Sequence, residues 1–100
     1  LEDDRYIKAY GKKIFPKGSD IGIKSGQTIQ VNKTVPLVVP LGTQFGQVII
    51  TLMEKDLLGD DHLHSVAFSL LADGSVTVEN RTKESSGSIY LIDFELKDFV

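Results

Sequence analysis

Apolar residues recur at every second position in most runs along this chain, which is the period of a strand with one face buried. Val48, Ile50 and Leu52 form one such trio, and Val66, Phe68 and Leu70 form a second after an acidic loop. Near the N-terminus, Arg5-Tyr-Ile-Lys-Ala-Tyr10 alternates in the same way and is closed by Gly11. Lys12 to Pro16 is a short second piece of strand, followed by the turn-forming run Lys17-Gly-Ser-Asp20. Ile21 with Ile23, and Ile29 with Val31, predict strands meeting at a tight connection around Ser25-Gly26. Val35 to Val39 contains Pro36 and is followed by Pro40. Proline cannot donate to a sheet ladder, so this segment belongs at an edge or in an extended loop.

The second half of the chain is more regular. Val66 to Arg81 predicts a hairpin, because Ala72-Asp-Gly-Ser75 carries the Asp-Gly pair favoured in type I′ turns and Val76 and Val78 resume the period of two. A polar stretch, Thr82 to Gly87, then leads into Ser88 to Lys97. There Tyr90, Ile92, Phe94 and Leu96 alternate with Asp93, Glu95 and Lys97, the pattern of a half-buried strand. No 11-residue window carries a helical stripe, and there is no internal repeat. These elements together predict an all-β fold, an antiparallel β-sandwich of seven to eight short strands, C2-like or immunoglobulin-like.

Composition narrows this picture without changing it. One hundred residues, 41% apolar and 25% charged, make one domain spanning 1–100 with enough apolar mass for a core. The chain begins at Leu1 rather than at a methionine, so a processed fragment or a piece of a longer protein is expected. A net charge of −3 argues against nucleic acid as a partner, since neutralising phosphate needs a basic face. Lys8, Lys12, Lys13 and Lys17 form a local basic stretch that reads as a solvated edge. With no cysteine, no disulfide can staple the fold, which leans towards the cytoplasm or a bacterial secreted protein. The longest apolar run, Val35 to Leu41, is too short to span a bilayer, so a soluble domain without a transmembrane segment is expected.

The chemistry is concentrated between the two apolar trios. Glu54, Asp56, Asp60 and Asp61 place four carboxylates within eight residues, interrupted by Gly59. Like charges this close repel unless solvent, salt or a bound cation neutralises them, and Ca²⁺, which takes six to eight oxygen ligands, suits such a loop. His62 and His64 follow at spacing two, which on a strand would let both bind a transition metal with Asp60 or Asp61. The competing reading is two polar residues on the solvent side. A nucleophile and base would have to come from one of these histidines with a serine such as Ser65 or Ser69. No nucleophile-elbow pattern surrounds either serine, and a small sandwich offers little cleft, so a non-enzymatic domain is expected.

The stretch Leu52-Met-Glu-Lys-Asp-Leu-Leu-Gly-Asp-Asp-His-Leu-His-Ser65 resembles the third calcium-binding loop of C2-like β-sandwiches. In that family a strand ends in an acidic-x-Asp pair, runs through a short turn to further aspartate, and re-enters the sheet with an aliphatic residue followed by glycine. Glu54 stands where the family usually has aspartate, and His64 follows Leu63 where glycine is usual. The resemblance implies Ca²⁺ held by Glu54, Asp56, Asp60 and Asp61, with a further ligand from an earlier loop, for which Asp20 is the candidate. It implies a module that presents its loops to a lipid, glycan or protein surface. Many C2-like domains have lost calcium and serve as protein-binding or structural modules. That leaves, as the alternative, a non-catalytic interaction domain of a larger assembly, using the apolar edge around Val35 to Leu41 for contacts.

Overall fold

The structure, a computed structural model, describes residues 3–19, 21–23 and 26–82. Six strands follow in order: β1 (Asp3–Ala9), β2 (Lys12–Phe15), β3 (Ile21–Ile23), β4 (Gly46–Glu54), β5 (Asp61–Leu70) and β6 (Val76–Thr82). They form one antiparallel sheet with the order β2-β1-β4-β5-β6, and β3 also pairs with β1. Arg5 is opposite Glu54 on one side and Ile21 on the other, while Ile7 is opposite both Leu52 and Phe15. Since a strand has two hydrogen-bonding edges, β2 and β3 must share the β1 edge that faces away from β4. Among the described residues there is no helix, and so none long and apolar enough to cross a membrane. The all-β antiparallel expectation holds at this level. The strand predicted over Ser88 to Lys97 lies outside the described residues, as does Asp20.

Period-two patterning becomes a core where three strands meet. Val48 is opposite Phe68, and Ile50 is opposite both Val66 and Ala9, so these side chains share one face. Ala9, Val48, Val66 and Phe68 are buried together, with Ile14, Val35, Leu37 and Ile50 packed against them. On the other face of β5, Ser65 and Ala67 are buried as well, so both faces of that strand are covered at its centre.

One turn differs from the sequence expectation, and backbone geometry explains it. The two-residue type I′ loop is Tyr10-Gly11, where both residues have positive φ (51° and 73°) and Ala9 pairs with Lys12. At Ala72-Asp-Gly-Ser75 only Gly74 has positive φ, and its amide donates to the carbonyl of Leu71 at 2.9 Å. That is a turn over Ala72-Asp73 followed by a left-handed glycine, the longer hairpin loop rather than type I′.

The strand expected at Ile29 to Val31 does not form. Asn32 takes a left-handed φ of 49° directly after it, which breaks the extended run, and residues 27–40 carry no regular structure. Val35 to Val39 joins no strand of the sheet, in keeping with Pro36 and Pro40. It is held instead by Tyr10, whose hydroxyl donates to the Pro36 carbonyl at 2.7 Å and accepts from the Val38 amide at 3.0 Å. The segment crosses β4 at Gly46 so closely that a Cβ there would lie 2.6 Å from Leu37 Cδ2 and 2.7 Å from the Val38 carbonyl. Val35 and Leu37 pack on the core, and Val38 and Val39 face outwards.

Candidate functional site

The β4–β5 connection, residues 55–60, is a six-residue loop whose shape is set by β1. The Lys55 amide donates to the Asp4 carbonyl at 3.0 Å, fixing the base of the loop to the start of β1. Across the loop, Asp60 is held at both oxygens: Oδ1 accepts the Asp56 amide at 3.3 Å, and Oδ2 accepts the hydroxyl of Tyr6 on β1. These two bonds stabilise the ionised form. They hold the Asp60 carboxyl below its ordinary value of 3.8, the Tyr6 hydroxyl contributing most, with Lys55 and Lys8 adding a smaller attraction.

Glu54 is engaged elsewhere. Arg5 is 1% exposed, and its Nη1 lies 3.4 Å from Glu54 Oε1, so the last carboxylate of β4 faces a buried guanidinium. Removing one partner of such a pair leaves the other charge buried without compensation, which is costly. Asp61 opens β5 opposite Glu54 and is exposed, as is Asp56. The structure therefore places Glu54, Asp56, Asp60 and Asp61 around one loop but assigns two of them to protein partners. Among the described residues, no three histidine, aspartate or glutamate side chains come together as a metal-holding group.

The His62 and His64 pair is split by a β-bulge. Leu52 is opposite His64 and Met53 is opposite His62, so Leu63 is the extra residue, and it is buried. His62 Nε2 meets Ser65 Oγ at 2.5 Å, and Ser65 Oγ lies 3.1 Å from Thr51 Oγ1 on the neighbouring strand. This is the histidine–serine pairing that nucleophilic chemistry would need. Ser65 is only 3% exposed, however, so a substrate carbonyl has no approach to its oxygen.

What the sequence pattern missed is the tip. Leu57 and Leu58 are 101% and 100% exposed, so two adjacent leucines stand in solvent between the aspartates. Single exposed apolar residues are ordinary, but a fully exposed adjacent pair on a braced loop is not. The signal was present as an apolar dipeptide between acidic residues. The Tyr6–Asp60 contact, which spans 54 positions, has no local signature at all.

Comparison with known proteins finds no match: no family model, no curated protein and no solved structure is significantly similar to this chain. The resemblance of residues 52–65 to a C2-like loop thus rests on the sequence of that loop alone.

Proposed function

We propose that this chain is a non-catalytic β-sandwich interaction module of a larger assembly, which docks onto a protein surface through Leu57 and Leu58. The observation that carries this reading is the full exposure of both leucines on a loop tied to β1 through Lys55 and Asp60. Apolar side chains held out in one conformation lose little entropy on binding, so more of their burial energy appears as affinity. Burial of Ser65 and Ala67 on the face opposite Val66 and Phe68 supports the two-layered sandwich. Photo-leucine placed at position 58 tests the docking role. In an extract of the source cell it is expected to yield a discrete protein adduct that Leu57→Ser suppresses, and the absence of any adduct would contradict the reading.

The second reading is a calcium module using Glu54, Asp56, Asp60, Asp61 and Asp20. The exposure of Asp56 and Asp61 on either side of the leucine tip favours it. A ligand that binds only the folded state at a hundred times its Kd adds about 2.7 kcal/mol of stability, so millimolar Ca²⁺ is expected to raise the melting temperature. Asp61→Asn would abolish that rise, whereas equal melting in chelator and calcium removes the ion from the account.

A further inference from the structure

The start of β4 carries a second apolar projection, chemically unlike the leucine tip at its other end. Val39 packs against Gly46 and Phe45 immediately precedes it, so residues 40–44 form a loop that hangs from that end of the strand. Leu41 is 104% exposed there, with Val38, Val39 and Phe45 exposed around it. Pro40 to Thr43 is a closed turn: the Thr43 amide donates to the Pro40 carbonyl at 3.1 Å, and Gly42 supplies the positive φ of 83° that a type II turn needs at its third position. Leu41 therefore sits at a fixed apex.

Between Lys33 and Glu54 no side chain is ionisable, whereas Leu57 and Leu58 sit among Asp56, Asp60 and Asp61. An apolar loop enters the edge of a bilayer cheaply only if it takes no charge with it and leaves its backbone polar groups paired. The segment meets the first condition throughout. It answers the second with Pro36 and Pro40, which have no N–H, with the Tyr10 hydroxyl bonded to the Pro36 carbonyl and the Val38 amide, and with the Pro40 carbonyl accepting the amide and hydroxyl of Thr43. A protein interface imposes neither condition so strictly, because polar groups find partners across it. We propose that the Leu41 loop inserts into the interface of a lipid bilayer, with Val38, Val39 and Phe45 entering beside it.

The charges of the molecule suit this orientation. Eight steps (54 − 46) along β4 separate Gly46 from Glu54. At about 3.4 Å each this is roughly 27 Å, so Glu54, Asp56, Asp60 and Asp61 stay clear of the headgroups. Leu70 is opposite Gly46, which puts Asp73 of the β5–β6 turn at the inserting end, its carboxylate turned onto Ser75, and this limits insertion to a shallow depth. Lys12 is opposite Ala9 and so level with Ile50 rather than with Gly46, which leaves the attraction to the apolar side chains. The leucine tip remains free for a protein.

Flotation of the full chain with vesicles of phosphatidylcholine alone tests this. The wild type is expected to float equally at about 0.1 M and about 1 M salt, since screening acts on charges and not on apolar burial, and to gain nothing from added phosphatidylserine at its net charge of −3. Leu41→Asp is expected to weaken binding at least about tenfold, and Leu57→Ser/Leu58→Ser to leave it unchanged. The chain has no tryptophan, so Leu41→Trp is a single emitter, and it decides the matter if Leu41→Asp fails to fold. Its emission should shift to the blue on adding vesicles and be quenched by lipid brominated on the acyl chains, while Leu58→Trp should do neither. A wild type that does not float, or flotation that depends on Leu57 and Leu58 and not on Leu41, overturns insertion and leaves the loop to protein contacts. The adduct at position 58 belongs to the opposite end, so the docking role stands or falls independently of these results.

Discussion

The two loops that join β4 to β5 and β5 to β6 are both short, both contain an aspartate whose carboxyl is held below its ordinary value, and they flank the same strand, β5. They differ in where they are anchored. Residues 71–75 close on themselves: the Leu71 amide donates to the Ser75 carbonyl and the Gly74 amide to the Leu71 carbonyl, while Asp73 Oδ1 accepts from the amide and hydroxyl of Ser75. Residues 55–60 also bond among themselves, the Asp56 amide to Asp60 Oδ1 and the Gly59 amide to the Asp56 carbonyl, but they are in addition fastened to a different strand, by Lys55 to Asp4 and by Asp60 to Tyr6. A self-closed loop needs only its own residues, so it can be read locally. A loop braced from outside can carry residues with no structural task, and Leu57 and Leu58 are such residues.

The largest expected effect removes what both loops share. Phe68→Ala empties the buried centre of β5 and should cost about 3–5 kcal/mol in denaturant unfolding, with amide protection lost in both loops together. Protection surviving in one loop would show that it folds independently of the sheet. Gly74→Ala should act on one loop only. Its φ of 86° is strained for any residue with a Cβ, so roughly 1–2 kcal/mol of stability is expected to be lost, with hydrogen exchange accelerating around 71–75 and unchanged around 55–60.

How far the chain could be read follows the same division. The period of two found β1, β3, β4, β5 and β6; on β4 burial on one face imposes that spacing directly, whereas on β6 Val76 and Val78 keep it while remaining exposed. It also suggested a strand at Ile29 to Val31, since spacing cannot see the left-handed Asn32 that turns the chain away. The Asp-Gly pair correctly marked a hairpin, but its turn type depended on loop length, and the type I′ turn formed at Tyr10-Gly11 instead. At the candidate site the carboxylates were visible and their partners were not. Arg5 and Tyr6 lie about fifty positions away, and only the pairing of β1 with β4 brings them to Glu54 and Asp60.

The pH dependence separates the loops again. Both Asp60 and Asp73 have folded-state values below 3.8, so each stabilises the fold fully above that pH. The contribution is lost as pH falls through the lower folded-state value. The leading cause is the Tyr6 hydroxyl for Asp60 and the Ser75 hydroxyl for Asp73. Tyr6→Phe should therefore raise the Asp60 titration towards 3.8 and leave Asp73 unmoved, as read from side-chain carboxyl shifts by NMR. Equal movement of both would mean that a global change, not the loss of one bond, is being measured.

The smallest expected effect on stability belongs to the tip. Leu57→Ser/Leu58→Ser removes two side chains that contact solvent, and the unfolding free energy should stay within about 0.5 kcal/mol of wild type. A loss well beyond that would mean the leucines pack in solution and are not available to a partner.

The claim that Tyr6 and Asp60 hold the leucine tip in one conformation is tested most directly by backbone ¹⁵N relaxation. The account predicts order parameters for residues 55–60 of wild type close to the roughly 0.85 of rigid backbone, falling below about 0.6 in Tyr6→Phe, while residues 71–75 stay the same in both. Low order parameters for 55–60 already in the wild type, or no change on removing the Tyr6 hydroxyl, would contradict it.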